Sequence, residues 1–297
     1  LPVVDLDARS VAARLPRRDP SGHKGTFGRV ALVAGSPDYA GAALLAGAAA
    51  LRGGAGLASL LVPGSLRAIL AGRVPELITR ALPEARPGEL DAVAAAAVIE
   101  ADPHDALVIG PGLVPDRATT RLVARVLASG HAPVVVDAGA LSALATRPSW
   151  WRTVSRACVL TPHPGELARL VGELPDGDAA RATAAGSAAR RWGQVVVLKG
   201  ARTVVAAPAG GTWRAPFASP LLATAGTGDV LAGLIGGLLA QGITPVDAAS
   251  LGVFLHGLAG EACATRLGDA GLLASDLLPE LPPARARLAA LAAPSTP

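Results

Sequence analysis

Short, uninterrupted runs of β-branched and aliphatic residues, set between Ala- and Gly-rich stretches, constrain this chain more than any other feature. Arg29–Ala34, Leu57–Val62, Asp105–Gly110, Pro133–Asp137, Ala157–Thr161 and Gln194–Lys199 read as strands. Their apolar runs are continuous rather than alternating with polar residues, so both faces of each strand must be buried. A parallel sheet with helices on both faces meets that demand. Helices are expected at Ala40–Arg52, Asp116–Ser129, Asp178–Trp192, Asp229–Gln241 and Val246–Leu267, with Asp116 as an N-cap. Thr203–Ala207 and Thr212–Arg214 read as a hairpin. The expected fold class is α/β: a doubly wound, mostly parallel sheet in a single domain over residues 1–297. The first 20 residues read as a lead-in, and the Pro- and Ala-rich Leu281–Pro297 as a loose tail.

Composition narrows the function classes. Half of the 297 residues (51%) are hydrophobic and 17% are charged, a globular balance. The net charge of +4 invites a nucleic-acid reading, but the basic residues are scattered, with no block longer than Arg17-Arg18 or Arg190-Arg191, and aromatics make up only 3%. A nucleic-acid footprint would gather charge on one face, so no nucleic-acid partner is expected. Two cysteines, Cys158 and Cys263, exclude a disulfide scaffold and a Cys-rich metal site. His23, His104, His131 and His256 show no metal-ligand spacing, so no metal-ligating residue is assigned. No signal peptide opens the chain, and a cytoplasmic protein is expected. Val230–Gly260 carries one formal charge, Asp247, but Gly233, Gly236, Gly237, Gly242 and Pro245 interrupt it. Its apolar runs are shorter than the ~20 residues of a span, so buried helices and no membrane partner are expected. The chain has neither Met nor Asn, and the missing initiator suggests a piece of something longer.

In doubly wound sheets ligands bind beyond the carboxyl ends of the strands. Four such ends here carry Gly, Pro and charge: Gly110-Pro111-Gly112, Asp137, Thr161–Glu166 and Lys199-Gly200. Gly and Pro mark any turn, but four together point to one shared site. The strongest segment is Gly226-Thr227-Gly228-Asp229, opening a long apolar helix. Consecutive N–H groups of a Gly-rich turn at a helix N-terminus suit a phosphate. Asp229 reads either as a first-turn carboxylate or as a general base that takes a proton from a hydroxyl attacking that phosphate. The segment is neither a Walker A loop nor a dinucleotide fingerprint. Of 27 basic side chains only Lys24 and Lys199 are lysine, and each precedes Gly. A compact ammonium beside a phosphate is not replaceable by a planar guanidinium, so both are site candidates, with chance as the alternative. His163, between two prolines, is either structural or a ligand contact. Glu166 is either a first-turn acid or a water-mediated Mg²⁺ partner, and Asp137 either a cap or a contact to Mg²⁺ or substrate.

With those residues assembled, the chain resembles the ADP- or ATP-dependent NAD(P)H-hydrate dehydratases, which have a ribokinase-like fold. The resemblance rests on His23–Gly28 (HKGTFG), Gly41-Ala42-Ala43, Ile109–Leu113 (IGPGL), Asp137–Leu141 (DAGAL), Leu160–Glu166 (LTPHPGE), Val197–Gly200 (VLKG) and Gly226–Asp229 (GTGD). These occur in family order over nearly the whole chain. One departure is Ala218-Ser219, where the family usually has Gly-Asn. The resemblance implies that ADP or ATP phosphorylates the C6 hydroxyl of hydrated NADH or NADPH, after which phosphate is eliminated. Asp229 would be the base, and the N–H groups of Gly226, Thr227 and Gly228 would cradle the transferred phosphate, with Mg²⁺ neutralising charge. Ala43, Gly112, His163 and Asp229 would contact the hydrated dinucleotide. Lys199, Gly200, Ala201, Arg202, Thr203 and Gly228 would contact the nucleotide. A homo-oligomer, commonly a tetramer in the family, and a fused or cooperating NAD(P)H-hydrate epimerase are implied as well. The competing readings are a small-alcohol or vitamin-precursor kinase of the same fold and a non-catalytic nucleotide-binding protein.

Overall fold

A computed structural model describes residues 3–292. The chain runs β1 Val3–Asp5, α1 Ala8–Ala12, β2 Arg29–Val33, α2 Ala40–Arg52, β3 Leu57–Pro63, α3 Arg67–Leu70, β4 Ile78–Leu82, β5 Glu84–Arg86, β6 Glu89–Leu90 and α4 Ala92–Ala101. It continues β7 Ala106–Ile109, α5 Arg117–Ala128, β8 Val134–Val136, α6 Ala138–Ala145, β9 Cys158–Leu160, α7 Pro164–Val171, α8 Asp178–Trp192 and β10 Val195–Leu198. The last elements are β11 Val204–Ala206, β12 Thr212–Arg214, α9 Thr227–Leu239, α10 Pro245–Leu267 and α11 Leu277–Ala292.

Ten strands form one sheet in the order β1-β12-β11-β10-β9-β8-β7-β2-β3-β4. From β10 to β4 every pairing is parallel, whereas β10-β11-β12 is antiparallel. The expected six strands and the hairpin are all present. Each buried strand feeds two cores by the period of two: Val30 and Leu32 face the side of α2, α9 and α10, and Ala31 and Val33 the side of α4 to α6. Asp116 caps α5, its Oδ1 accepting from Thr119 N at 2.7 Å. Both cysteines are free and buried. Burial pushes the Cys158 thiol up to about 12, which leaves it unreactive.

Two helices that a membrane reading would have taken for spans are packed inside. Gly233 and Gly237 of α9 lie directly against the carbonyls of Ala46 and Ala50 in α2, where a Cβ would collide. The glycines that break the apolar run thus let two helices touch backbone to backbone. Among the described residues no helix is long and apolar enough to cross a membrane.

Both ends of the chain differ from expectation. The segment read as a lead-in adds β1 in parallel to β12, clasped by Arg214 Nε on Asp5 Oδ1 at 2.7 Å, and its α1 buries Val11 completely. Leu281–Pro297 is no loose tail as far as it is described. It belongs to α11, which buries Leu277, Leu281, Ala284 and Leu288 at helical spacing against the core of α10. Pro282-Pro283 masked that period. Both prolines stand inside the helix, past the first turn that favours proline, so each removes an intrahelical amide bond, and the burial of these four side chains works against that cost. Residues 293–297 of that segment, and 1–2 of the lead-in, lie outside the described residues.

Candidate active site

The parallel register aligns the strand ends: Val33 pairs with Ile109, Ile109 with Val136, and Val136 with Leu160. The residues that follow each strand are therefore delivered to one edge. Asp137 follows β8, Thr161 follows β9 and Lys199 follows β10. Gly35 N donates to Pro111 O at 2.8 Å, and Lys199 N to Pro162 O at 2.8 Å, which ties neighbouring loops together.

Asp137 is 1% exposed and carries no cap bond to α6. Its Oδ1 instead accepts from Thr161 Oγ1 at 2.7 Å and from Lys199 Nζ at 2.8 Å. The next residue, Ala138, sits at φ 44, the left-handed region. A non-Gly residue there costs on the order of 1 kcal/mol, and strain of this kind gathers at functional sites. Glu166 Oε2 lies 3.9 Å from the same ammonium. Burial works against the Lys199 charge, but Asp137 and Glu166 outweigh it and hold its pKa above the usual lysine value.

His163 takes the structural one of its two expected roles. It N-caps α7: Nδ1 accepts from Gly165 N at 3.1 Å, while Glu166 Oε2 accepts from His163 N at 2.8 Å, a reciprocal capping box. An accepting Nδ1 requires the proton on Nε2, which lies 3.7 Å from Glu166 Oε2 on a ring that is half exposed.

Gly226 is the N-cap of α9 at φ 88, with no side-chain cap bond, and a Cβ there would press on Leu45 and Ala274. The amides of Gly226, Gly228 and Asp229 have no acceptor among the described residues. The amide of Thr227, expected among the phosphate donors, already donates to Thr224 O at 3.3 Å. Lys199 Nζ lies against Gly228, 3.3 Å from where a Cβ would stand. Burial first, then repulsion from Asp137, raises the Asp229 pKa to about 7, against the opposing pull of Lys199. A carboxyl poised near neutrality at an anion-binding helix terminus can take a proton and release it again.

Beside this edge a cavity of about 770 Å³ is lined by Lys199, Gly200, Ala201, Thr203, Thr227 and Gly228. Arg202 is not among its walls; it lines a shallow recess with Asp178 and Arg181. Gly112 packs against the Tyr39 carbonyl and Ala42 at the start of α2, and the Ala43 side chain is fully buried behind it. Lys24 and His23 are not brought to this edge. Lys24 packs against Gly56, ahead of β3, at the opposite end of the sheet. A lysine before a strand and one after a parallel strand necessarily lie at opposite ends.

The sequence reading missed His256, which lines the 770 Å³ cavity. Burial depresses its pKa to about 4, so it is neutral, and Nε2 donates to Thr227 O at 3.0 Å. The one signal was a lone polar residue in the apolar run Val253–Leu255. Ala218 and Ser219, the departure from the family pattern, also line this cavity.

The order of strands, the helix-borne glycine turn and the charged strand ends together define the ribokinase-like superfamily, within which the solved relatives superpose on this chain. The sequence pattern of the family described as NAD(P)H-hydrate dehydratase matches residues 30–283, and the chain belongs to that family. It is 46% identical to a bifunctional NAD(P)H-hydrate repair enzyme of Moorella thermoacetica over 279 residues, 93% of this chain and 53% of that protein. It is 40% identical to an ADP-dependent (S)-NAD(P)H-hydrate dehydratase of Xanthomonas campestris, covering 90% of this chain and 91% of that one. The ADP/ATP-dependent NAD(P)H-hydrate dehydratase of Bacillus subtilis, co-crystallized with ATP/Mg²⁺, superposes with a TM-score of 0.84 at 36% identity, over 96% of this chain and 99% of that chain. The chain spans about half the length of the bifunctional relatives it matches.

Proposed function

We propose that this chain dehydrates hydrated NADH or NADPH, with ADP or ATP as phosphoryl donor. The observation that carries the reading is Asp229. Its carboxyl is raised to about 7 at a helix terminus with unclaimed amides, beside the Lys199 ammonium. The C6 hydroxyl of the hydrated ring attacks the terminal phosphorus of the nucleotide as Asp229 takes its proton, and the P–O bond to the remaining nucleotide breaks. The ring nitrogen lone pair then expels phosphate from C6, and loss of a proton from C5 restores the dihydropyridine. The products are NAD(P)H, inorganic phosphate and AMP from ADP, or ADP from ATP.

Lys199, Gly200, Ala201, Arg202 and Thr203 are assigned to the nucleotide, along with Gly226, Thr227 and Gly228. Free amides at Gly226 and Gly228 support a phosphate there, and Thr227 acts through its backbone contacts to the 220–224 turn. Ala43, Gly112, His163 and Asp229 are assigned to the hydrated dinucleotide. His163 offers Nε2–H, and Ala43 can contribute only backbone. Mg²⁺ fits as an ion carried by the phosphates. No cluster of three ligating side chains occurs among the described residues, while Asp137 and Glu166 are carboxylates at the cleft. Bound Mg²⁺ would neutralise phosphate charge. We further assign the chain to the cytoplasm, as a homo-oligomer working with an NAD(P)H-hydrate epimerase.

The test mixes the chain with hydrated NADH, Mg²⁺ and ADP and follows the dihydronicotinamide absorbance, with Asp229→Asn in parallel. Absorbance returning in step with phosphate supports the reading. A phosphorylated product that accumulates without returning absorbance would favour the kinase alternative. An unchanged nucleotide would favour a binding protein.

A further inference from the structure

A second cluster of charge lies at the amino end of the sheet. A cavity of about 510 Å³ opens where α4 and α5 end and β7, β8 and β9 begin. Arg156 lines it and is only 8% exposed. Its Nε is buried without a partner, and none of its N–H groups donates to a described residue. No carboxylate of the described residues stands within 4.0 Å of it. The backbone makes room for this side chain: Gly130 is at φ +73, and a Cβ there would collide with Arg156 Nη2. Burial lowers the Arg156 pKa, outweighing the opposing pull of Cys158 and Glu100. A buried guanidinium without a partner is costly, and buried charges are as a rule paired.

The rim says which anion fits. Glu100 and the buried Asp102 line the same cavity; Glu100 Oε1 accepts from Ser129 Oγ at 2.6 Å, and Asp102 is ion-paired with Arg80 at 2.7 Å. The carbonyl ends of α4 and α5 add negative partial charge. A dianion such as phosphate is repelled by that rim. A single carboxylate is planar, matches the guanidinium fork in two parallel hydrogen bonds and adds only one charge. Ile99, Val126 and Ala132 supply an apolar wall for the rest of the molecule. We propose that this cavity binds a small monocarboxylate with an apolar body, its carboxylate held by Arg156. The site lies across the sheet from Asp229 and is independent of the reaction proposed above.

Thermal unfolding and calorimetric titration of the full chain, in a low-chloride buffer, test this with benzoate, phenyl phosphate and inorganic phosphate as probes. Wild type, Arg156→Met and Arg156→Lys are compared. At about 10 mM, benzoate should raise the wild-type melting temperature by at least about 3 °C. Arg156→Met should lose that shift, and Arg156→Lys, which keeps the charge but not the fork, should retain only part of it. Inorganic phosphate should act equally on wild type and Arg156→Met, since its site is the glycine turn of α9. Without ligand, Arg156→Met should melt no lower than wild type, because it removes an unpaired buried charge. Equal benzoate shifts in wild type and Arg156→Met would overturn the proposal. So would an Arg156-dependent response stronger for either phosphate than for benzoate. A change of oligomeric mass in Arg156→Met with no benzoate effect would assign Arg156 to a subunit contact instead.

Discussion

The two ends of the sheet satisfy their buried charges in different ways. At the carboxyl end, Lys199 is shared by Asp137 and Glu166, and Thr161 and the His163 backbone take up other carboxylate lone pairs. At the amino end, Glu100 is held by Ser129 and Asp102 by Arg80, but Arg156 Nε is buried without a hydrogen bond. A networked end is pre-organised, and the one carboxyl outside the network, Asp229, feels the field of the rest. The comparison teaches that net charge at a strand end says little. How each charge is satisfied decides whether the end does chemistry or waits for a ligand.

The largest effect should come from the carboxyl the network leaves out. Asp229→Asn is expected to lower kcat by roughly 10²–10⁴-fold, the range of a general base, while nucleotide still binds in calorimetry. Retention of activity within tenfold would place the base elsewhere. Next is the hub itself. Lys199→Ala should cost roughly 10²-fold in kcat/KM, as for loss of an oriented cation at a transferring phosphate. Lys199→Arg should not restore it, because the ammonium fits between Asp137 at 2.8 Å and Gly228. Full rescue by Arg would show that charge alone matters at this end.

A smaller effect sharpens the electrostatics. The acid limb of the kcat/KM profile should fall at about pH 7, with activity rising as Asp229 ionises. Asp137→Asn removes a repulsion and frees Lys199, so the limb should move to lower pH; an unmoved limb would assign it to another group. The same shift sets stability. Folding raises the Asp229 pKa, so the folded chain holds the proton more tightly than the unfolded one. Its contribution is therefore lost as pH rises from the ordinary carboxylate range through about 7. Asp229→Asn should melt at least about 3 °C above wild type at pH 8 and lose that advantage near pH 4. The smallest effect is expected across the sheet: Arg156→Met should leave the proposed dehydration rate within about twofold, since no observed contact joins it to the reacting edge.

Much of this molecule was legible in one dimension. The six buried parallel strands follow from their unbroken apolar runs. The glycine turn before Asp229 was visible from residue type alone, and Lys199 stood out because Lys is so rare here. Some features were not legible, each for a definite reason. The α11 period of Leu277, Leu281, Ala284 and Leu288 was hidden by two prolines. The pairing of β1 with β12 joins residues more than 200 positions apart, and three-residue strands carry almost no periodicity. His256 showed only as a lone polar residue after the apolar run Val253–Leu255 until α10 was laid along the cavity.

The sequence by itself determined the sheet's parallel character, the family and the residue types at each strand end, because hydrophobic period and short glycine motifs are local properties. Only the tertiary structure decided which of those residues meet. It parted Lys24 from Lys199 and set Asp137 and Glu166 each within ion-pair distance of Lys199. It also buried Arg156 with no carboxylate of the described residues within 4.0 Å. Those outcomes depend on strand register and on which loops share an edge, and the pKa of Asp229 depends on the sum of its neighbours' charges and its loss of water. Neither register nor field is written at any single position in the chain.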